Sequence, residues 1–535
     1  MRVSSESGHK PATVQQSVNL FFSPFAYIWP HERLEMAFQR QLKAKGEKVV
    51  VVRCSGQCWS LCHVKHAVGP NERALGTDLC LRCKYVANSH FRSSDVHWLE
   101  NPHATSSSAI GKDRSSMELV DRLKRYVTHD FLLVSRKRLA DLSELDRRAI
   151  ENSVRDAAAI HQQVRRLVKR ESVTRIFYYN DVYAVNLIAR EVAEEFGLER
   201  VNLNLSMIPR GMNDRYSVST SQEQLLTRQR SPRTCPPLDR RQCRELRKTI
   251  DFQIYGRSAF LYSEPANRRK DKRKCGISDC VLILSSHDEM QSLKYLFPEV
   301  LAQAQYDQRA TIGWFKRLAE QYPDRSFVIR PHPREFSNHR HATNTSHSQT
   351  VLDQLSDLPK NLTVDFPEKK IPIFDRIRST HAVLFTWSSA GLDSLALGRW
   401  VACATPDDLT WCPSDLFQTV RNYEDLVDFF ERTLAGPVST KEQLNALRWY
   451  GWFLNEDYRH FSWIPYKWSP SRIIHGILGR SRRFVGPALL ASRSVESLLT
   501  RPVNSNFRRS ETGDSSTEEH ANKLERRLCA QLRAT

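Results

Sequence analysis

The 535-residue chain has no apolar run that approaches the roughly 18 residues of a membrane-spanning helix. Its first residues, Met1 to Gln16, lack the basic start, apolar centre and small-residue cleavage site of a secretory signal peptide. We therefore expect a cytoplasmic protein, with peripheral contact at the inner face of the cell membrane as a second expectation. In that compartment the 12 cysteines should be reduced thiols rather than disulfides.

Acidic residues are too few to balance the basic ones. Lysine and arginine number 80 against 60 aspartates and glutamates, so the net charge is +20 and favours polyanionic partners. The densest basic runs lie in a linker near 268–274 and in the tail, rather than on one face with interleaved aromatic residues. No specific nucleic-acid partner is therefore expected, whereas the tail is expected to meet an anionic membrane surface.

Short apolar runs alternate with helical patterns along most of the chain, which predicts an α/β fold with parallel sheets. A chain of this length exceeds one hydrophobic core, so we predict two Rossmann-like, doubly wound domains with a cleft between them. The predicted segments are a disordered arm at 1–17, an N-terminal domain at 18–263 with a Cys-rich insertion at 54–115, a basic linker at 264–278, a C-terminal domain at 279–440, helices at 441–480 that pack back on the cleft, and a basic, mostly disordered tail at 481–535.

Two polar motifs follow apolar runs in the second half of the chain. Arg330-Pro331-His332-Pro333 follows a predicted strand, and Thr386-Trp387-Ser388-Ser389-Ala390-Gly391 follows another and opens a helical pattern. Hydroxyl residues and glycine at a helix start favour anions, because backbone N–H groups converge there and the helix macrodipole attracts negative charge. Doubly wound sheets bind ligands outside the carboxyl ends of their strands, so these motifs predict a phosphate site.

Three strings in order carry a resemblance to a known family: Leu284–Glu289, Arg330–Pro333 and Trp387–Asp393, the last followed by Leu397-Gly398. Together they resemble bacterial capsule polysaccharide biosynthesis proteins. More loosely, they are similar to bacterial sialyltransferases and glycerophosphotransferases that carry a His-Pro motif and a later Ser/Thr motif. The specific resemblance spans about residues 280–405. It implies a GT-B architecture, in which two Rossmann-like domains face a cleft and the C-terminal domain holds the nucleotide.

The resemblance implies transfer of a sugar from a nucleotide-activated donor. His332 would contact the donor phosphate, with a cationic ring favoured beside the anion, and Ser388 and Ser389 would bind the same phosphate. Charge builds on that phosphate as the glycosidic bond breaks, so preorganised donors help most in the transition state. Asp393 stands where the family commonly has glutamate and would meet a ribose hydroxyl. The other residues implied at the donor nucleotide are Arg330, Gly391, Ser285, Ser286 and Glu289.

The base that activates the acceptor hydroxyl is expected from the first strand–helix turn of the N-terminal domain. His31 and Glu32 follow Pro30 there and could reach a sugar hydroxyl at the lip of the cleft. The alternative interpretation is that they are ordinary residues of a helix start. Asn180 and Asp181, which follow a predicted strand, form a second candidate pair.

Five cysteines are crowded in the insertion: Cys54, Cys58, Cys62, Cys80 and Cys83. Cys80-x2-Cys83, paired with Cys58 and Cys62, resembles a structural zinc site, in which four thiolates form a tetrahedron. His63 and His66 are spare ligands. An iron–sulfur cluster and unbound thiols are the alternatives. A closed four-ligand site would pin the insertion beside the cleft and take no part in catalysis.

The main functional prediction is a glycosyltransferase that builds a surface or capsular polysaccharide, or its lipid-linked precursor, from a pyrimidine nucleotide sugar. By the resemblance its catalysis needs no metal or other cofactor, since no Asp-x-Asp pair stands at a suitable strand end. Three alternatives stay open. Two are enzymes of the same shape, a glycerophosphotransferase and a nucleotide-sugar epimerase, and the third is a basic nucleic-acid-binding protein.

Overall fold

A computed structural model describes the chain over residues 17–25, 29–56, 59–62, 80–81, 83–84, 96–100, 114–179, 182–205, 215–219, 234–255, 275–296, 298, 308–338, 343–404, 413–453, 459–460 and 515–534. Within these ranges, no helix combines the length and the apolarity that a bilayer crossing requires.

A seven-stranded sheet is the centre of the N-terminal unit. Its strands are β1 (Val18–Phe22), β2 (Lys48–Cys54), β3 (Val96–Leu99), β4 (Arg175–Tyr179), β5 (Glu199–Leu205), β6 (Arg215–Ser219) and β13 (Arg459–His460). They lie in the order β13-β6-β5-β4-β1-β2-β3. The pairs among β1 to β5 are parallel, whereas β6 and β13 add an antiparallel edge.

Helices cover both faces of this sheet. They are α1 (Trp29–Ala44), α2 (Arg114–Ser135), α3 (Glu144–Glu171) and α4 (Ala184–Glu195). Alternate residues of β1 point to opposite faces, so Leu20 and Phe22 pack with α2, α3 and α4, while Phe21 packs in the smaller core that includes Leu42 of α1. Burial on both faces explains why the inner strands read as nearly continuous apolar runs.

A six-stranded sheet is the centre of the C-terminal unit. Its strands are β7 (Ser278–Ile283), β8 (Phe327–Arg330), β9 (Leu362–Val364), β10 (Thr380–Phe385), β11 (Trp400–Cys403) and β12 (Gln418–Thr419). All pairs are parallel, in the order β12-β11-β10-β7-β8-β9. The chain therefore runs outward from β7 to β9, returns, and runs outward on the other side from β10 to β12. This is the doubly wound order, with its switch point between β7 and β10.

The helices of the second unit again form two layers. They are α5 (Arg240–Tyr255), α6 (His287–Leu293), α7 (Gln308–Gln321), α8 (Ser348–Gln354), α9 (Ile373–Arg378), α10 (Ala390–Ala396), α11 (Tyr423–Leu434), α12 (Thr440–Trp452) and α13 (Ser515–Ala534). Helices α7, α8 and α11 share one core with the sheet, and α5, α9, α10, α12 and α13 share the other. The predicted α/β class with two doubly wound sheets is therefore confirmed.

Helix α5 lies in a different unit from the one we predicted. The sequence placed residues 18–263 in the N-terminal domain. Within this stretch, the helix α5 begins at Arg240 and ends at Tyr255, and residues 220–233 lie outside the described ranges. Leu246 and Ile250 of α5 are buried in one core with Val281 of β7. The apolar face of α5 therefore joins the C-terminal unit ahead of that unit's first strand.

The last segments also differ from the prediction. Of the region 441–480, expected to be helical, the described residues contain the end of α12 at Trp452 and β13, which joins the N-terminal sheet antiparallel to β6. The tail, expected to be mostly disordered, contains α13, whose Leu528 and Leu532 are buried in the C-terminal unit. Residues 1–16, 256–274 and 461–514, which include other predicted arm, linker and tail residues, lie outside the described ranges.

The attachment of α13 is testable through Glu525, which is 1% exposed. Its carboxylate accepts hydrogen bonds from the backbone N–H of Leu238 (2.6 Å) and from the guanidinium of Arg448 (2.7 Å). Glu525→Ala leaves the arginine charge and a buried N–H without this acceptor, so the free energy of unfolding should fall by about 3 kcal/mol. Urea unfolding measures this, with the exposed Arg527→Ala as control. Equal stabilities of the two variants would contradict the packing of α13.

Candidate functional site

Two of the three predicted motifs meet at the switch point of the C-terminal sheet. Ile283, the last residue of β7, stands opposite Phe385 of β10 in the strand register, so both chains leave the sheet at the same level. The backbone N–H of Ser285 donates to the hydroxyl oxygen of Thr386 at 2.7 Å, and that hydroxyl donates to the Ser285 hydroxyl at 2.8 Å. Both residues are buried. This pair joins the motif after β7 to the motif after β10.

The third motif leaves the neighbouring strand at the same edge. Arg330, the last residue of β8, stands opposite Ile283 on the other side of β7. Beyond the strands, the guanidinium of Arg334 binds the buried carboxylate of Asp288 (2.8 Å). All three motifs therefore lie together at the carboxyl edge of three adjacent strands.

His332 presents a defined face to this edge. Its Nδ1 accepts a hydrogen bond from the backbone N–H of Arg334 at 3.2 Å, so the proton of the neutral ring is assigned to Nε2. The residue keeps some accessible surface, but its ring is deeply set. This burial lowers the pKa of His332 to about 4, with Arg334 and Arg330 acting in the same direction and Asp288 opposing. The ring is therefore neutral near pH 7 before an anion arrives, in contrast to the cationic form expected beside one.

Ser388 and Ser389 lie at the start of α10, as predicted. Ser388 is half-buried, and its hydroxyl oxygen accepts the backbone N–H of Ala390 at 3.3 Å. Ser389 is exposed, and its side chain makes no capping hydrogen bond to the helix. The two hydroxyls therefore lie at the helix start, one of them reaching solvent.

Three residues predicted at the donor nucleotide also have partners inside the protein. Arg330 is buried, and its guanidinium donates to Asp365 (2.6 Å) and to the backbone carbonyl of Ile371 (2.8 Å). Gly391 packs beneath Phe385, where a Cβ would come within 2.6 Å of ring atom Cδ1. The structure thus gives Arg330 an internal ion pair and Gly391 a close packing contact, and their contact with a donor phosphate stays a prediction.

Asp393 is the third of these residues. It is buried at the interface of α10 with α5 and α12, where the Tyr450 hydroxyl donates to its Oδ1 at 3.2 Å. The amide of Gln253, in the orientation that satisfies both groups, donates to its Oδ2 at 3.1 Å. Burial raises the pKa of Asp393 to about 7, against the effect of the Tyr450 hydrogen bond. This carboxyl group joins three helices, and its contact with a ribose hydroxyl stays a prediction.

The sequence reasoning missed Glu335, which occupies the N-terminus of α6. Its Oε1 accepts the backbone N–H groups of His287 and Asp288, and its Oε2 accepts the Thr345 hydroxyl at 2.8 Å. Burial, together with the nearby Asp288 carboxylate, raises the pKa of Glu335 to about 7. A carboxylate of the protein thus takes the place at α6 that an external anion would use. The only local signal was its position directly after Arg334.

Ser286 and Glu289 also have partners within this corner. The Ser286 hydroxyl donates to Asp288, and the Glu289 carboxylate lies 3.5 Å from Nη1 of Arg334. Burial alone would raise the pKa of Asp288, but the Arg334 guanidinium and the Ser286 hydroxyl hold it below the usual range. Ser285 and Ser286 therefore organise the corner behind His332, and their contact with a ligand stays a prediction.

The candidate bases of the N-terminal unit are only partly described. His31 and Glu32 lie in the first turns of α1, but their side chains, like Asn180 and Asp181 as a whole, lie outside the described residues. One helical turn further on is a buried cluster that the sequence reasoning missed. Glu35 accepts the Ser23 hydroxyl, and Arg53 donates to the Ser23 carbonyl (2.8 Å) and hydroxyl (2.7 Å). This cluster fixes the segment after β1, where α1 approaches the sheet edge.

The zinc hypothesis stays a prediction. Cys62, Cys80 and Cys83 are partly buried, whereas Cys58 lies outside the described residues. In the described part of the chain, no three His, Cys, Asp or Glu residues lie together as a metal-binding group. One local feature is typical of thiolate sites: the backbone N–H of Gly56 lies 3.2 Å from Sγ of Cys54, in a turn with φ of +103°. A zinc site here would therefore need ligands from residues that the structure does not describe, among which are Cys58, His63 and His66.

No protein-family model matches the chain, and no curated protein sequence matches it. Solved structures similar to the chain include glycosyltransferases and nucleotide-sugar epimerases. KpsC of Thermosulfurimonas dismutans, a β-Kdo 2,4-transferase, has a TM-score of 0.31 and 14% identity, covering 52% of this chain and 88% of that one. The UDP-GlcNAc 2-epimerase of Methanocaldococcus jannaschii, solved with UDP-GlcNAc and UDP, has a TM-score of 0.28 and 9% identity. The match covers 79% of this chain and 93% of that one. The spinosyn rhamnosyltransferase SpnG has a TM-score of 0.26 and 12% identity, and the match covers 81% of this chain and 95% of that one. Likeness at this level assigns no activity to this chain.

The buried carboxyl group of Asp393 predicts a pH dependence of stability. Folding raises the pKa of Asp393 from 3.8 to about 7, so the folded state favours the protonated carboxyl group. The contribution of Asp393 to stability is therefore lost as the pH rises through that interval. Asp393→Asn keeps the shape and can still accept from Tyr450. The free energy of unfolding of this variant should therefore improve relative to the wild type between about pH 5 and pH 8.

Urea unfolding at both pH values measures the change in stability. The exposed Asp353→Asn serves as control, because it alters the same functional group without burial. If Asp393→Asn and the wild type kept a constant difference in stability across this range, the assigned environment of Asp393 would be wrong.

Proposed function

We propose that the chain is a glycosyltransferase that takes a sugar from a nucleotide-activated donor and binds the donor phosphate at the carboxyl edge of β10, β7 and β8. One observation carries the proposal: the three motifs of the family resemblance lie on adjacent strands at the switch point. The contacts between Ser285 and Thr386 and between Arg334 and Asp288 join them. Ligands of doubly wound sheets bind at such switch points.

The chemistry of the groups supports a leaving phosphate. His332 has its Nδ1 engaged by the Arg334 backbone, so we propose its Nε2–H as the donor to the phosphate. The hydroxyls of Ser388 and Ser389 are further neutral donors beside the start of α10. Such donors bind a phosphate moderately in the ground state and more strongly as negative charge develops on it. As negative charge develops on the phosphate, the hydrogen bond from the neutral Nε2–H of His332 strengthens, so His332 would stabilise the departing nucleotide as a hydrogen-bond donor.

The contrast between α6 and α10 favours α10 for the donor phosphate. The N-terminus of α6 is occupied by the Glu335 carboxyl group, which already accepts the backbone N–H groups that a phosphate there would need. The start of α10 carries the hydroxyls of Ser388 and Ser389 instead. A phosphate between His332 and these two serines would meet neutral donors from two strand ends.

The remaining parts of the proposal concern the acceptor and the donor class. We propose a surface or capsular polysaccharide, or its lipid-linked precursor, as acceptor, a pyrimidine nucleotide sugar as donor, and catalysis without a metal. His31 or Glu32 is the proposed base, because α1 begins after β1, at the same kind of sheet edge. An epimerase would convert a nucleotide sugar without acceptor, and a glycerophosphotransferase would consume CDP-glycerol, so product analysis separates these alternatives.

Nucleotide binding is the first test of the proposal. Thermal stability is measured with CMP, CDP, UDP, GDP, UMP and AMP, where a ligand at 100 times its dissociation constant adds about 2.7 kcal/mol to the folded state. One pyrimidine nucleotide should stabilise the wild type, and His332→Ala should lose this response.

The exposed His381→Ala at the opposite end of β10 is the matched control and should respond like the wild type. Absence of any nucleotide response, together with salt-sensitive retention of DNA, would transfer support to the nucleic-acid-binding alternative.

A charge substitution at Ser389 tests the position of the phosphate. Ser389→Asp adds a negative charge at the start of α10, which is favourable for the helix but repels a phosphate. We expect the melting temperature to be unchanged or raised and the nucleotide-dependent stabilisation to disappear. The Ser389→Asn variant, in which the new side chain has the size of aspartate but no charge, should keep most of that stabilisation. A nucleotide response that survived in the aspartate variant would place the phosphate elsewhere.

A further inference from the structure

One arginine of the N-terminal unit reaches the loop that carries His332. Arg136 follows α2 directly and adopts a left-handed backbone conformation, with φ of +58°. Its side chain is buried, donating from Nη1 to the carbonyl of Thr343 (2.9 Å) and from Nη2 to the carbonyl of Arg334. Its own carbonyl accepts the backbone N–H of Ser346 at 3.2 Å. A single residue thus binds three backbone groups of the opposite unit.

The contact is reciprocal. Arg334 donates from Nη2 to the carbonyl of Leu133 in α2 at 2.5 Å, while its Nε binds the Asp288 carboxylate. Each of the two arginines therefore finds a backbone acceptor in the other unit. We call this exchange between Arg136, Leu133 and Arg334 the arginine latch.

One hydrogen bond joins the latch to His332, the residue that we propose as hydrogen-bond donor to the phosphate. The backbone N–H of Arg334, whose carbonyl Arg136 binds, donates to Nδ1 of His332. That hydrogen bond places the ring and leaves the proton on Nε2. A buried guanidinium without acceptors is costly, so separation of the two units would disfavour the present course of the 332–336 loop.

We propose that Arg136 is a positioning residue for His332, and that the arginine latch sets the tautomer and place of the imidazole only while the two units are docked. The inference rests on the proposed function for its meaning in catalysis, since the latch would then make donor binding in one unit depend on contact with the other. The coupling itself can be measured without any donor.

The test uses full-length protein labelled with 15N-histidine, and the His332 signals are assigned by their loss in His332→Ala. The wild type should show a single Nε2–H tautomer. Arg136→Gly removes the latch and suits the positive φ, so the fold should tolerate it better than other truncations. It should show a mixture of tautomers at His332 and an about tenfold weaker affinity for the stabilising nucleotide of the panel.

Two further variants complete the design. Arg136→Lys keeps the charge but loses the forked geometry, and it should shift the tautomer in the same direction; it decides the question if the glycine variant does not fold. Arg138→Ala is the control: it removes contacts to Asp141 and Thr350 at the same side of the interface but none to the 332–336 loop. It should keep the wild-type tautomer.

An unchanged His332 tautomer in folded Arg136→Gly or Arg136→Lys would overturn the inference. Failure of the proposed function has a different signature. In that case CMP, UDP and the other nucleotides leave the wild type unaffected, while the tautomer still responds to Arg136 and the coupling stands.

Discussion

The candidate site depends on the position of β7 between β8 and β10. The register places Ile283 opposite Phe385 on one side and Arg330 on the other, so three chains leave the sheet together. The buried apolar residues of β7 alternate between two apolar cores, and a slip of one residue would exchange those faces. The hydrophobic pattern of three strands therefore fixes where His332, Ser285 and Ser388 lie relative to one another.

Around this edge the charges of the protein are largely matched by the protein itself. Asp365 is bound by Arg330 and lies 3.3 Å from Nε of Arg376, and Asp288 is bound by Arg334. The Glu335 carboxylate occupies the N-terminus of α6. The groups that we propose for the donor phosphate are instead neutral, namely an imidazole N–H and two hydroxyls. Neutral donors suit a ligand whose negative charge increases during the reaction, because their contribution grows as that charge develops.

The sequence indicated the architecture and the position of the motifs, because both follow from local patterns of apolar and polar residues. Apolar runs of four to six residues followed by hydroxyl groups, glycine or proline identified β7, β8 and β10 and the segments after them. The direction of individual side chains was not accessible in this way. Arg330 binds Asp365 and Asp393 contacts Tyr450, and such distant partners leave no trace in the local sequence.

Helix α13, in contrast, could have been predicted, because its hydrophobic pattern is present in the sequence. Leu524, Leu528 and Leu532 recur at helical spacing in the tail, but the surrounding serines and arginines suggested a mobile segment. The role of Glu335 could not be predicted from the local sequence. Its carboxyl group binds two backbone N–H groups of α6 that lie 48 and 47 positions away, and only the paired strands bring these groups together.

The most direct test of the account is a crystal structure of the protein with a bound pyrimidine nucleotide, CMP or UMP. The account predicts that the phosphate lies within about 3 Å of His332 Nε2 and of a hydroxyl of Ser388 or Ser389, at the carboxyl edge of β10, β7 and β8. A nucleotide seated in the N-terminal unit, or one whose phosphate contacts none of these three residues, would contradict it.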